Sequence, residues 1–327
     1  MSCANDTGDD ERINRAVAAS AAGDEIVLRG SCLVDDTIRL AGERTYRGES
    51  RAGTVIRQAD GANLDALLAS DSYLDDVPFT GMPVTIRGLT IDGNRDRNPG
   101  AGDALVIRAW QSRIDDLVIM GSNRHGIRIT NRSANGTALG NTQVNGVVSG
   151  NHIEGSGGHG IYVEDSGNSV TDWQLVDNWI ADSGLGGITL ENAAGWMVQR
   201  NHVYAVGGIA LTAERLFGTS IADNYIEDFV GSGLRVSVQG EAASTIAGNR
   251  VFKSNGGTGT FVQIRVNYGT GNLVVSGNAI RGNGAGTGID YQVGPGDGLV
   301  VAATGNLITA VGTSRRVGAG VSISAGL

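Results

Sequence analysis

The stretch "NHIEGSGGHGIYVEDSGNS", from Asn151 to Ser169, sets His159, Tyr162, Glu164 and Asp165 within seven residues. An imidazole and a phenol can move protons, and two carboxylates can hold a cation or act as acid and base. Strand alternation sends Tyr162 and Glu164 to one face of "IYVE" and Ile161 and Val163 to the other. The same alternation recurs. "GIRIT" directs Arg128 and Thr130 outward, "GITLEN" Thr189 and Glu191, "GLRVSV" Arg235 and Ser237, "VQIRVN" Gln263 and Arg265, and "GIDYQV" Asp290 and Gln292. In this register Ile127, Ile161, Ile188, Ile209, Leu234, Val262 and Ile289 point inward, while Ala210 and Thr212 join the outward rows. Polar residues outside a solvated strand are ordinary, and exposed ion pairs contribute little. Two glutamates stacked on neighbouring strands are different, because they repel unless a cation or a shared proton lies between them. Glu164 and Glu191 form such a pair, with Asp165 and Asn192 beside them and Arg128, Arg235 and Arg265 flanking. His125 and His159 occupy equivalent places just before two of these strands.

What positions these residues is a repeat. An Asn followed two residues later by an aliphatic residue occurs in "VVSGNHIEG", "QLVDNWIAD", "WMVQRNHVYA", "SIADNYIED", "TIAGNRVFK", "VVSGNAIRG" and "AATGNLITA". The asparagines are Asn151, Asn178, Asn201, Asn224, Asn249, Asn278 and Asn306. Each unit holds about three short strands and cannot bury its apolar face alone, so units must stack. Stacked coils bring equivalent strands to about 4.8 Å and align the asparagines as a ladder at a turn. The expected fold is all-β: a right-handed parallel β-helix, one solenoid domain over residues 1–327. "VTIRGLTIDGN" and "SRIDDLVIMG" continue the apolar pattern without the ladder Asn. "DDERINRAVAASAA", with Ile13, Val17 and Ala21 on one face, reads as a short helix capping the open end, within an arm and cap over residues 1–30 and coils over 31–327.

Composition agrees. The 52 glycines and 4 prolines in 327 residues suit many tight turns, and no proline-rich linker divides the chain. A formal charge of −9 disfavours a broad nucleic-acid surface, and no apolar run reaches the length of a membrane-spanning helix. Cys3 and Cys32 lack zinc-site spacing; in a secreted chain they would form one disulfide tying down the N-terminal arm. "MSCANDTGDD" has no apolar core of a signal peptide, which suits a mature extracellular chain or a cytosolic one.

"GDDERINRAV", "DEIVLRGSCLV", "TIRLAGERTYRGES" and "LTIDGN", together with the Asn coils, resemble the bacterial pectate-lyase-like β-helix superfamily over nearly the whole chain. That superfamily includes polysaccharide lyases, glycoside hydrolases, uronan epimerases and phage tailspikes. The carboxylate series that precedes "GHG" in polygalacturonases is missing around Gly158–Gly160, as is the DPHD-type motif of mannuronan epimerases. The resemblance implies an extracellular enzyme that cleaves a polysaccharide on the sheet bearing Arg128, Tyr162 and Glu164, as a monomer or a homotrimer. A lyase would use His159, Tyr162 or Arg235 as base. The uronate charge would fall to arginines, or to a calcium ion held by Glu164, Glu191 and Asp165. Arg128, Asp165, Asn192, Arg265 and His125 would bind substrate, and Trp110 could stack on a sugar. A hydrolase would use the carboxylates directly, pairing Glu164 with Glu191 or either with Asp165 or Glu214. A tailspike-like or adhesin-like protein would bind glycans without cleaving them.

Overall fold

The computed structural model describes residues 1–100, 102–255 and 257–325. The chain forms two compact units, Met1–Trp173 and Gln174–Leu327. Each is a stack of coils, and each coil gives one short strand to each of three parallel sheets. In the first unit the third sheet runs through Ile38–Leu40, Ala66–Ser70, Asp103–Ile107, Ile127–Thr130 and Ile161–Glu164. In the second unit it runs through Ile188–Leu190, Leu211–Leu216, Ser232–Gln239, Thr260–Tyr268, Thr287–Tyr291 and Thr313–Val317. Alternation explains the stacking. Ile91, Ile119 and Ile153 meet in register on the second sheet, and all three are buried. No helix among the described residues is long and apolar enough to cross a membrane.

The asparagine ladder is present and satisfies its polar groups. In the second unit, Nδ2 of Asn178, Asn201, Asn224, Asn249 and Asn278 donates to Oδ1 of the next asparagine in the series, at 2.8 to 3.0 Å. Each backbone N–H donates to the same oxygen. The second amide hydrogen of Asn201 goes to the carbonyl of Leu175, and that of Asn224 to Val198. The residue before each rung is left-handed, with φ of 58° at Asp177, 54° at Arg200 and 66° at Gly248. At that turn the side-chain amide serves as donor and acceptor at once, which satisfies main-chain groups and the neighbouring rung together. In the first unit Asn151 accepts from the Leu117 N–H and donates to the Ile114 carbonyl, and Leu117 and Leu89 hold the equivalent place in earlier coils. Replacing Asn201 by Leu removes the acceptor of two Asn178 donors and the donor to Leu175. We expect a loss of about 1–3 kcal/mol, read as a lower urea midpoint at constant slope. An unchanged midpoint would mean the rung is dispensable.

The cap is a helix over Asp9–Ala19, with Ile13 and Val17 buried. Ala21 lies beyond its end and is exposed. Asp9 is fully buried because its carboxylate accepts the N–H groups of Ala4, Asp6 and Leu33 and pairs with Arg12. Cys3 and Cys32 are joined, with Cα atoms 5.0 Å apart, and this fastens the arm as expected for an oxidised chain. One register differs from the alternation reading. Leu211, not Ile209, pairs with Ile188 and Leu234; Ala210 and Thr212 are buried, Thr212 stands opposite Thr189, and Glu214 comes next after the Leu190–Ala213 pair. The final "GVSISA" segment contributes Val321–Ser324 to the first sheet, and Thr313–Val317 takes the third-sheet place.

Candidate functional site

On the third sheet of the first unit, Arg128 stands opposite Tyr162 and Thr130 opposite Glu164, as alternation requires. Nη2 of Arg128 donates to Oε2 of Glu164 at 2.6 Å, and the Thr130 hydroxyl donates to the same oxygen. A group that alternation did not single out completes the network. Asp103, whose side chain is fully buried, accepts two bonds from the Arg124 guanidinium at 2.6 and 2.8 Å. It also takes the His125 N–H, and Arg128 approaches it at 3.4 Å. Burial works against the Arg128 charge, but the Glu164 hydrogen bond and the two carboxylates outweigh it and raise its pKa. The hydrogen bonds that Arg124 donates to Asp103 raise its pKa likewise.

Arg124, Arg128 and Arg132 line a cavity of about 620 Å³ together with Tyr73, Asn63 and Asp65. Its wall is braced from within. Ala66, Ala69, Tyr73 and Val106 form an apolar cluster beside the strand Asp103–Ile107. The buried Arg108 holds the carbonyls of Ser72, Phe79 and Thr137. Arg128 sits over the Tyr73 ring, 5.9 Å from its centre.

Beside the arginines three rings stack. The His125 and Tyr162 centroids are 4.5 Å apart, and His159 lies 5.3 Å from His125 and 5.4 Å from Tyr162. The His159 N–H donates to Nδ1 of His125, which places the His125 proton on Nε2. Burial first, then charge interactions with His159, Arg124 and Arg128, lower the His125 pKa to about 3, so the ring is neutral. His125 therefore positions Tyr162 and is too buried to grip substrate, contrary to the expectation for it. The unfolded ring titrates near 6.5, so between there and about 3 the unfolded chain binds one more proton than the folded one. Stability from this ring is complete above pH 6.5 and falls as the pH drops toward 3, by up to about 1.4 kcal/mol per pH unit. In His125→Phe that part of the slope should vanish. Urea melts between pH 7 and 4 that fall equally for both proteins would refute it.

Other expectations are corrected. Asp165 is buried, and its carboxylate accepts the N–H groups of Ser169 and Val170, the Ser169 hydroxyl and the Asn131 amide. It closes the turn after its strand and is not available to substrate. Asn192 is also buried and accepts the Ala194 N–H. With Asp165 engaged and Glu164 bonded to Arg128, the proposed calcium ligands do not fit that ion, and no group of three His, Cys, Asp or Glu among the described residues could hold a metal. Trp110 lies in the turn after Ile107; its indole N–H is buried without a partner among the described residues, and the residue is not among those lining the arginine cavity.

In the second unit, Glu191 follows the Leu190–Ala213 register pair and Glu214 follows it on the neighbouring coil. Arg235 approaches Glu214 at 3.6 Å, and Arg265 is exposed further along the same sheet. Glu191 belongs to this unit and Glu164 to the other, so the acidic pair found within one unit is Glu191 with Glu214. His152 and His202 lie on the second sheet, beside Glu154 and Glu227.

The family described as the right handed beta helix region matches residues 80–324. No curated protein sequence matches. Among solved structures the chain is similar to the A-module of the mannuronan C-5 epimerase AlgE6 of Azotobacter vinelandii, at 18% identity and a TM-score of 0.61, over 98% of this chain and 93% of that one. It is similar to an alginate lyase from Paenibacillus sp. str. FPU-7 at 16% identity and a TM-score of 0.54, over 98% of both chains. It is also similar to PfbA, a surface adhesin of Streptococcus pneumoniae, at 13% identity and a TM-score of 0.55, over 95% of this chain and 91% of that one. At these identities the likeness is one of fold.

Proposed function

Because the chain belongs to the right-handed β-helix family, a scaffold shared with an alginate lyase and a uronan epimerase, we propose that it is an extracellular lyase. Its reaction would be β-elimination on a polysaccharide containing uronic acid. The observation that carries this reading is the juxtaposition on one sheet of Tyr162, opposite Arg128, with three arginines lining the adjoining cavity. Guanidinium groups match a carboxylate in shape and charge. Arg124, Arg128 and Arg132 hold the uronate carboxylate and stabilise the charge that develops when C5 loses its proton. Tyr162 removes that proton as the phenolate, the electron pair forms the C4–C5 double bond, and the C4–oxygen bond to the leaving chain breaks. The leaving oxygen then recovers the proton from Tyr162, which returns the site to its starting state. His125 and His159 keep the phenol ring in place by stacking. The Cys3–Cys32 disulfide supports an oxidising, extracellular setting.

A second reading rests on Glu191 and Glu214. Carboxylates on adjacent coils suit a retaining hydrolase, whose pair stands roughly 5–5.5 Å apart. The deciding assay is a panel of polysaccharides examined for end groups. Unsaturated ends absorbing in the near ultraviolet support the lyase. Reducing ends without that absorbance support the hydrolase, and saturable binding with neither means a glycan-binding protein like an adhesin.

A further inference from the structure

Of the 25 lysine and arginine residues in the sequence, one is a lysine, Lys253. It is only 7% exposed, and its ammonium stands 5.1 Å from the centre of the Phe229 ring. No carboxylate among the described residues pairs with it. The nearby Asp228 is engaged elsewhere: its two oxygens accept the N–H and the hydroxyl of Ser254, at 2.7 and 2.6 Å. A methionine would fill the same space on Phe229 without the cost of burying a charge. The charge therefore has a use that packing does not explain.

Lys253 lines a cavity of about 630 Å³ with Tyr204, Asp228, Phe229, Asn255 and Thr258. That volume exceeds what a small ion needs and suits a sugar residue. Gly257 lies beside the ammonium: a Cβ placed there would stand 3.0 Å from Nζ. Tyr204, at the rim, is 37% exposed. It continues an aromatic stripe on the second sheet of this unit. His202 lies 6.4 Å from Tyr204, Tyr225 stacks on His202 at 4.7 Å, and Trp179 meets His202 edge-on at 6.3 Å. Tyr204 is the exposed ring of this stripe, while Trp179, His202 and Tyr225 are half-buried and Arg250 lies over Tyr225 at 4.8 Å; an exposed aromatic ring can offer its face to the C–H side of a sugar.

We propose that this cavity binds one uronate residue of an acidic glycan, its carboxylate paired with Lys253 and its ring against Tyr204, with the following residues of the glycan on the aromatic stripe. The proposal rests on the reading that the ligand is a uronate polymer, but it concerns a different sheet from that bearing Tyr162. It is tested by a different signal.

Protein grown with 13C-labelled lysine gives one lysine Cε resonance, that of Lys253. It is titrated with trisaccharides of mannuronate, guluronate and galacturonate, with maltotriose as the neutral control and sodium acetate as the sugarless carboxylate. The expected result is a saturable shift with at least one oligouronide, binding at least about tenfold tighter than acetate, and no shift with maltotriose. Lys253→Met should weaken that binding, measured by calorimetry, by at least about tenfold and leave the melting temperature close to that of the parent. A resonance that ignores every oligouronide, or that responds equally to maltotriose or to acetate, overturns the proposal. If Lys253→Met fails to fold, the titration of the parent protein still decides. Should no uronate polymer yield unsaturated ends while the resonance shifts, the lyase reading fails and this site stands. Should unsaturated ends form while the resonance stays still, this site fails alone.

Discussion

Tyr162→Phe should lower turnover on the true substrate by about 1000-fold, with KM nearly unchanged and the fold intact. The substitution removes one oxygen and keeps the ring, so the stack with His125 and His159 survives. The arginines that would hold the substrate carboxylate are untouched, so binding persists. What disappears is the group that takes the proton from C5 and returns it to the leaving oxygen. The measurement is the initial rate of near-ultraviolet absorbance from new double bonds, with circular dichroism as a control on folding. If Tyr162→Phe keeps wild-type rates, the base lies elsewhere. If Glu191→Gln or Glu214→Gln abolishes activity instead, chemistry belongs to the acidic pair of the second unit.

Asp103→Ala should destabilise the protein by about 3–5 kcal/mol and also disable it. The Asp103 side chain is fully buried and answers three groups: the Arg124 guanidinium, the Arg128 guanidinium and the His125 N–H. Removing it leaves Arg128, which is largely buried, with Glu164 as its main counter-charge, and frees Arg124 to turn toward solvent. Urea denaturation should show a lower midpoint at unchanged slope. Asp103→Asn keeps an acceptor for His125 but not the charge, and should lose roughly half as much. If Asp103→Ala melts like the parent, the arginines are held by other contacts and the network has been misjudged.

The solenoid was legible because its signal is repeated. An amide at one turn in seven successive coils can be recognised even where the strands vary, and Asn178 through Asn306 bond as that repetition implies. Arg128, Tyr162 and Glu164 were legible because they alternate with the buried Ile127, Ile129, Ile161 and Val163, although Thr130, expected to face outward, is buried. Asp103 was not, because its strand is buried on both sides and shows no alternation; the cluster around Tyr73 covers the face that elsewhere meets water. Arg124 stands outside any strand, so no period points to it. Asp165 and Asn192 misled for the opposite reason. A carboxylate or amide just past a strand looks like a surface group, yet here it turns inward to satisfy backbone N–H groups of the bend. The two-residue slip at Ile209 came from taking the first aliphatic residue after the glycines as the anchor. The irregularity that follows between Ala213 and Leu216, with Arg215 at a φ of 59°, leaves no local sequence mark.

The ladder gives the second unit a natural currency of length. Asn201 and Asn224 are 23 residues apart and present the same bonds to their neighbours above and below. Excising residues 201–223 would splice Arg200 onto Asn224, so that Asn178 meets a rung of the same shape it already meets. Chain could thus be removed, or duplicated, in whole coils without a new joint having to be invented. Between rungs the spacing stretches to 25 and 29 residues, which shows where surplus chain is tolerated. A scaffold of this kind can change the length of the second unit by counted steps, one rung at a time.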